Sequence, residues 1–264
     1  MFKFSQKSVI KIIDIQGVIA SNKAYLNRSY KHYEVLKELH YAQMNNEIAG
    51  VILRINSPGG SAGASSELAS VISDVRKEKP VYASISDYAC SGAYLAASSS
   101  SKIFCSDMGI VGSIGVVMQI PNLVGISEKF GFSMMTIKSV EKKDIGNPFR
   151  GMTEEEYALL KKMVDEAHEQ FVHLISVYRN QLSVDDIKKI ADGRVFHADE
   201  AYKLCLIDKR GTFYDALDDM LKKLDLLENE FELEYSNEEG FVDKILSRFS
   251  LQSMISSQFG LFLK

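Results

Sequence analysis

The sequence predicts an α/β fold whose strands run parallel. Around residues 50–75 a β-rich apolar segment, a turn of small residues and a helical pattern follow one another, and the same succession repeats at once around residues 80–97. Two strand-turn-helix units in a row imply parallel strands joined by crossover helices. The chain of 264 residues, 46% hydrophobic and 25% charged, has the balance of an ordinary globular protein, enough for one large domain or two small ones.

Taken in order, residues 9–19 form an apolar run broken by Lys11 and Asp14, too short and too polar for a membrane span or a signal segment, and therefore a core strand. The expectation is a protein made without a membrane anchor, or one whose anchor lies outside this sequence. The location expected for the chain as it stands is the cytoplasm or a membrane periphery. Residues 30–44 read as a helix, with Tyr30, Tyr33, Leu36, Leu39 and His40 at helical spacing. Residues 50–56 are a strand stopped by Ser57-Pro58-Gly59-Gly60, and Leu68, Val71, Ile72 and Val75 mark the helix beyond. Residues 80–86 are the next strand, and the small, alanine-rich residues 90–97 start a tightly packed helix.

Short strands are expected at 102–105, 114–119 and 133–138, with a helix at 123–130. The longest helix opens at Thr153 with a capping box and places Tyr157, Leu160, Val164, Phe171, Leu174 and Tyr178 on one face. Ser183 opens another by the same logic, and residues 201–206 and 213–224 complete a helical half. Residues 231–235 alternate with period two, as in a half-buried strand. One domain over residues 1–224 is expected, followed by a C-terminal strand and an amphipathic tail over 225–264. In the tail Phe241, Val242, Ile245, Leu246 and Phe249 share a helical face that packs on the body or a neighbouring subunit. A membrane-surface role is the alternative, with only Lys244 and Arg248 to support it.

A formal charge of -4 and a pI near 5.8 exclude the basic face of a nucleic-acid binder. Cys90, Cys105 and Cys205 match neither a zinc site nor a disulfide framework and read as small buried residues, Cys90 drawing notice only through its neighbour Ser91.

Cleaving an amide takes a nucleophile, a base for its proton and donors aimed at the developing oxyanion. Ser91 stands where a strand turns into a helix, so first-turn amides and the positive end of the helix dipole face it. Gly92, lacking a side chain, can bring its amide close to a ligand. The loop ending at Gly60 holds the equivalent junction one unit earlier and can supply a second amide. If the two strands are neighbours, the loops face one another across a cleft. On the residues alone, Ser91 reads equally as a helix cap and the Pro-Gly-Gly as ordinary turn chemistry.

The segments Asn56-Ser57-Pro58-Gly59-Gly60, Ala89-Cys90-Ser91-Gly92-Ala93-Tyr94, Gly112-Ser113-Ile114-Gly115-Val116-Val117, Thr136-Ile137-Lys138-Ser139, Lys143-Asp144-Ile145 and Ala191-Asp192-Gly193-Arg194-Val195-Phe196 together resemble the signal peptide peptidase A (protease IV) family. They stand in the family's order over roughly residues 51–215. The resemblance implies Ser91 as nucleophile, Lys143 as general base and Ser113 as the residue that helps hold the lysine. Cys90, Ala93 and Lys142 depart from the commoner residues of the pattern, which bears on substrate preference more than on catalysis.

The resemblance also implies a ClpP/crotonase-like fold of repeated ββα units with additional C-terminal helices. It implies a homo-oligomer in which serine and lysine come from adjacent protomers, and substrates that are apolar peptides such as remnant signal peptides or membrane-associated protein segments. Family members are commonly membrane-anchored. No metal or organic cofactor is implied.

A solvated lysine, with a pKa of about 10.4, is a poor base at neutral pH, and burial in a low-dielectric cleft favours its neutral form. Lys138, at the end of an expected strand, is the rival base and reads as a positioning or surface charge. His32, His40, His168 and His173 lie on expected helices and His197 at a helix start, all as surface or packing residues. The alternatives to a Ser/Lys protease are an acyl-CoA enzyme of the crotonase type and a binding protein on a degenerate protease fold. Among proteases, a phage capsid-maturation enzyme or a stomatin-directed relative stays open.

Overall fold

The computed structural model of the protein describes residues 7–21, 32–227 and 229–236. In chain order the first elements are β1 (Ser8–Gln16), α1 (His32–Met44), β2 (Ile48–Ser57), α2 (Ala62–Glu78), β3 (Val81–Cys90) and α3 (Gly92–Ser98). The strands β4 (Lys102–Cys105) and β5 (Ile110–Gly112), the helix α4 (Val124–Phe130) and a 3-10 turn at Glu141–Asp144 come after them. Next are α5 (Glu154–Tyr178), α6 (Val184–Ile190), β6 (Val195–His197), α7 (Ala198–Lys203), β7 (Lys209–Arg210), α8 (Phe213–Leu224) and β8 (Phe231–Tyr235).

The long strands are near-continuous apolar runs, the pattern of strands covered on both faces. They form one sheet in the order β6-β5-β3-β2-β1-β8, with β4 beside β3 and β7 beside β4. Every pairing is parallel except β5 with β6. Alternation sorts the side chains. Ile10, Ile12, Ile52, Tyr82 and Phe104 meet Ala216, Leu217 and Met220 of α8 on one face. Ile13, Ile15, Leu53, Ile55, Ala83 and Ile85 pack on the other with α1, α2, α3 and α5. This is the α/β class expected from the sequence, built from successive strand-helix units.

The path of β3 sets up everything near Ser91. Its first half, Tyr82 to Ile85, pairs with β4, and its end, Tyr88 to Cys90, pairs with β5. Between these, β3 advances from Ile85 to Ala89 while β2 advances only from Ile55 to Ser57. Extra residues in one strand bend it and re-aim the chain beyond them, so the end of β3 leaves the β4 edge and delivers Ser91 beside β5.

Several expected elements differ. Residues 114–119 and 133–138 are not strands; the strand of that region is β5, a few residues earlier, and the chain beyond it crosses the surface with only α4 and the 3-10 turn. Their apolar side chains explain the error, since Val117, Met135 and Ile137 are exposed and belong to no strand pairing among the described residues. Cys90 ends β3 rather than starting a helix, and α7 lies ahead of the helix expected at 201–206.

The buried face of α1 is only partly the expected one: Leu39 is buried and Leu36 packs on the core, but Tyr33 is 68% exposed, and His32, Val35 and Ala42 complete the buried face. In α5 only the C-terminal half packs on the core, through Phe171, Val172 and Ile175, and Tyr157 is 63% exposed. Cys205 is exposed, unlike Cys90 and Cys105. The expected strand at 231–235 forms and extends the sheet beside β1, while the tail at 241–264 lies outside the described residues. Among the described residues no helix is long and apolar enough to cross a membrane.

Charge adds to the apolar packing that holds α8 on its face of the sheet. Asp219 accepts from Lys102 Nζ at 2.6 Å and from Lys209 Nζ. Burial alone would raise its pKa, but hydrogen bonds from Lys102, Lys209 and Tyr82 outweigh that and hold it at about 2. A carboxylate so depressed adds stability above its unfolded value near 4 and loses it as the pH falls towards 2. Asp219→Asn should therefore melt below wild type at neutral pH, with the gap closing as the pH is lowered through that window. A gap independent of pH would mean that the charge of Asp219 is not what anchors α8.

Candidate active site

Ser91 alone makes the turn between β3 and α3, with φ 52° and ψ -125°. A residue with a Cβ takes such a left-handed φ only where its surroundings hold it. Ser91 N donates to the Gly112 carbonyl at the end of β5 (2.8 Å), and the Ser91 carbonyl accepts from Leu95 N (3.1 Å). A sharp turn of this kind lifts the hydroxyl out of the strand-helix corner.

The Gly59-Gly60 turn lies directly against that corner. A Cβ on Gly59, φ 91°, would stand 2.6 Å from the Cys90 carbonyl oxygen and 2.7 Å from Gly92 N. One on Gly92 would stand 2.0 Å from Ser65 Oγ. Only glycine allows this approach. Buried Ser57 braces the turn, its hydroxyl donating to the Gly17 carbonyl (2.6 Å) and accepting from Gly59 N (3.1 Å). Ile19 braces it from the same side: its amide donates to the Gly59 carbonyl (2.8 Å) and its carbonyl accepts from Ser61 N (2.8 Å).

Groups of alternate residues in extended backbone point to opposite sides, so the Gly60 N–H points away from Ile19. Gly60 N itself lies near Gly92, 3.6 Å from where a Cβ on Gly92 would be. Neither the Gly60 nor the Gly92 amide has an acceptor among the described residues. The two loops, expected to face one another across a cleft, are instead in direct contact, and they bring two unpaired amides to the Ser91 corner.

Ser91 opens onto two clefts. One, of about 470 Å³, is lined by Gly92, Leu95, Val116, Phe171 and Leu174; the other, of about 720 Å³, by Pro58, Ser113, Val117, His168 and Asp192; Gly60 and Ser91 border both. Ser113 is a second non-glycine residue with left-handed φ (50°), its amide donating to the Arg194 carbonyl (2.7 Å). Ser91, Gly60, Gly92 and Ser113 thus come together in one chain.

Lys143 does not join them. It sits exposed in the 3-10 turn and lines neither cleft. Lys138 is bound to Glu141 Oε1 (2.6 Å) and Asp144 Oδ1 (3.1 Å), and these hydrogen bonds raise its pKa, which keeps it protonated and unsuited to act as a base. Burial pushes the Cys90 thiol up as well, away from the thiolate that nucleophilic attack would need.

Sequence reasoning missed two parts of the site. Helix α5 walls the clefts: Phe171 and Leu174, expected in a core stripe, line the first, and His168 lines the second. Ser65 of α2 has a buried hydroxyl without a partner among the described residues and lies against Gly92 at the edge of the first cleft. Helical spacing signalled the Phe171–Leu174 stripe without saying that a cleft runs under it, and nothing in the sequence marks Ser65.

Known proteins share this sequence pattern. The model of Peptidase family S49 matches residues 73–227. A putative protease of Methanocaldococcus jannaschii is 40% identical over 187 residues, 71% of this chain and 58% of that protein. The putative signal peptide peptidase SppA of Enterococcus faecium is 33% identical over 238 residues, 89% of this chain and 68% of that protein. The chain therefore matches little more than half the length of the first relative. The ClpP protease catalytic domain from Plasmodium falciparum superposes with a TM-score of 0.48 at 17% identity, covering 76% of this chain and 84% of that one.

The glycine corner is testable by stability. Gly92→Ala forces a methyl onto Ser65 and should cost about 1–3 kcal/mol, as overpacking does. Ser65→Gly in the same chain should recover part of that cost. Gly59→Ala meets backbone atoms instead and should have no such remedy. Equal melting temperatures for wild type and Gly59→Ala would show that the two loops are not in contact.

Proposed function

Because the chain belongs to peptidase family S49, we propose that it is a serine endopeptidase in which Ser91 is the nucleophile, Lys143 the general base, and the Gly60 and Gly92 amides the oxyanion hole. The observation that carries this reading is the Ser91 turn: a left-handed serine beside two unpaired backbone amides, at the mouth of a largely apolar cleft. In the first step Ser91 Oγ attacks the peptide carbonyl, its proton passes to the neutral Lys143 amine, and the two amides bind the oxyanion. Lys143 then returns the proton to the leaving amine, and water, activated by the same lysine, releases the acyl group from Ser91. The Ser113 hydroxyl orients the lysine from the second cleft.

Lys143 reaches Ser91 from a neighbouring copy of the chain. Two observations support this. The lysine is exposed and away from its own subunit's clefts. The stretch leading to it carries large exposed apolar side chains, among them Val117 (78%), Met135 (89%) and Ile137 (94%), which a second copy could cover. A neighbour seated there would strip water from the ammonium and so favour the neutral form a base requires. Leu95, Val116, Phe171 and Leu174 along the first cleft favour apolar peptide segments of the signal-peptide kind.

A panel of fluorogenic peptides tests the chemistry. Ser91→Ala and Lys143→Ala should each lose activity by about a thousandfold or more while folding normally. The wild-type rate should rise with pH as the lysine is deprotonated. A rate flat across the neutral-to-alkaline range, or Lys143→Ala with unchanged turnover, would remove Lys143 from the mechanism.

A further inference from the structure

The turn that carries Lys143 has no buried residue, so packing does not hold it in place. Charge does, and it does so selectively. Of its four residues, Glu141 pairs with Lys138, Lys142 with Glu155 (2.5 Å), and Asp144 with both Lys138 and Arg150. Lys143 is the residue of the turn left without an ion pair among the described residues.

Arg150 stands at the centre of this arrangement. Its Nε and Nη2 donate to the two Asp144 carboxylate oxygens (3.0 and 2.9 Å), and Nη2 also donates to the Asp144 carbonyl (3.1 Å). On the other side Nη1 and Nη2 donate to the two Glu156 oxygens (2.8 and 2.5 Å). Glu156 is buried at the third position of α5, where it accepts from Thr153 N (3.0 Å) as half of a capping box. A rigid guanidinium fork serving two carboxylates fixes angles that a lysine could not.

We propose that Arg150 is a positioning residue, which clamps the Lys143 turn to the start of α5 and keeps Asp144 from pairing with the lysine beside it. The proposal rests on the reading of Lys143 as the base. Because α5 also walls the Ser91 clefts, the clamp ties the base of one active site to the helix that shapes another. The charged groups facing Asp144 are Arg150 and Lys138, with Glu141 and Glu156 sharing those partners. Removing Arg150 leaves Asp144 underneutralised one residue from Lys143, where its charge stabilises the ammonium.

The experiment uses the full chain, with melting temperature and oligomer mass checked against wild type. Arg150→Gln should lower kcat about a hundredfold, the scale of a displaced catalytic group, with KM within about twofold. The rising limb of its pH–rate profile should move to higher pH. Arg150→Lys, which keeps the charge without the fork, should lose less and leave that limb in place. In a Lys143→Ala background Arg150→Gln should remove no further activity, as expected for residues acting through one another.

Unchanged kcat in Arg150→Gln, an unmoved pH limb, or an equal further loss without Lys143 would overturn the proposal. If Arg150→Gln fails to fold, Asp144→Asn, which spares the Glu156 contact, takes its place: it should lower kcat with no upward shift of the limb, and wild-type kcat would be the contrary result. Failure of the underlying reading is seen separately, as Lys143→Ala with normal turnover.

Discussion

The contact between two backbone turns governs this structure. Gly59 rests against Cys90, Ser91 and Gly92 so closely that a methyl group on it would overlap all three, and Gly60 N lies close to Gly92. The approach requires β2 and β3 to be adjacent and parallel, because only then do both turns leave the sheet at the same end. It requires the extra residues in β3, which carry its end over to β5 and give the Ser91 amide its acceptor on Gly112. It also requires Ser57 and Ile19 to take up the other hydrogen bonds of the glycine turn, leaving the Gly60 amide unpaired. The left-handed backbone of Ser91 is tolerated because all of these hold it at once.

What that contact does not bring to Ser91 is Lys143. The side chains around Ser91 include Ser113 and His168, whereas Lys143 stands on an exposed turn whose neighbours are consumed by ion pairs. In the proposed mechanism a single chain is therefore half of a catalytic unit. Exposed apolar side chains between Val117 and Val140 precede the lysine in sequence, and in the proposed mechanism a second copy covers the lysine as it docks. Assembly and catalysis are therefore coupled in that mechanism.

Much of this was legible in the residues. Apolar runs at β1, β2 and β3, with small residues and a helical pattern after β2 and β3, specified the parallel sheet, and the Thr153 capping box marked the start of α5. Ser91, Gly60 and Gly92 were legible as a junction because strand-to-helix turns leave amides unpaired. The strands expected at 114–119 and 133–138 failed for a physical reason: β propensity reports a pleated, half-buried surface, and these segments have no partner strand among the described residues. The α1 face was hard to read because Tyr33 and His40 sit at helical spacing on the solvent side, while Val35 and Ala42 carry the packing. The role of α5 as cleft wall, and of Arg150 as the link between Asp144 and Glu156, depended on distances that no periodicity encodes.

The central claim is that Ser91 of one copy works with Lys143 of another. Ser91→Ala and Lys143→Ala chains, each inactive alone, would be mixed, dissociated and reassembled, with mixed oligomers verified by mass before peptide cleavage is measured. The account predicts that part of the wild-type activity returns, because some interfaces then pair an intact serine with an intact lysine. Verified mixed oligomers without activity, or full wild-type activity in a dilute monomer, would contradict it and place a complete dyad within each subunit.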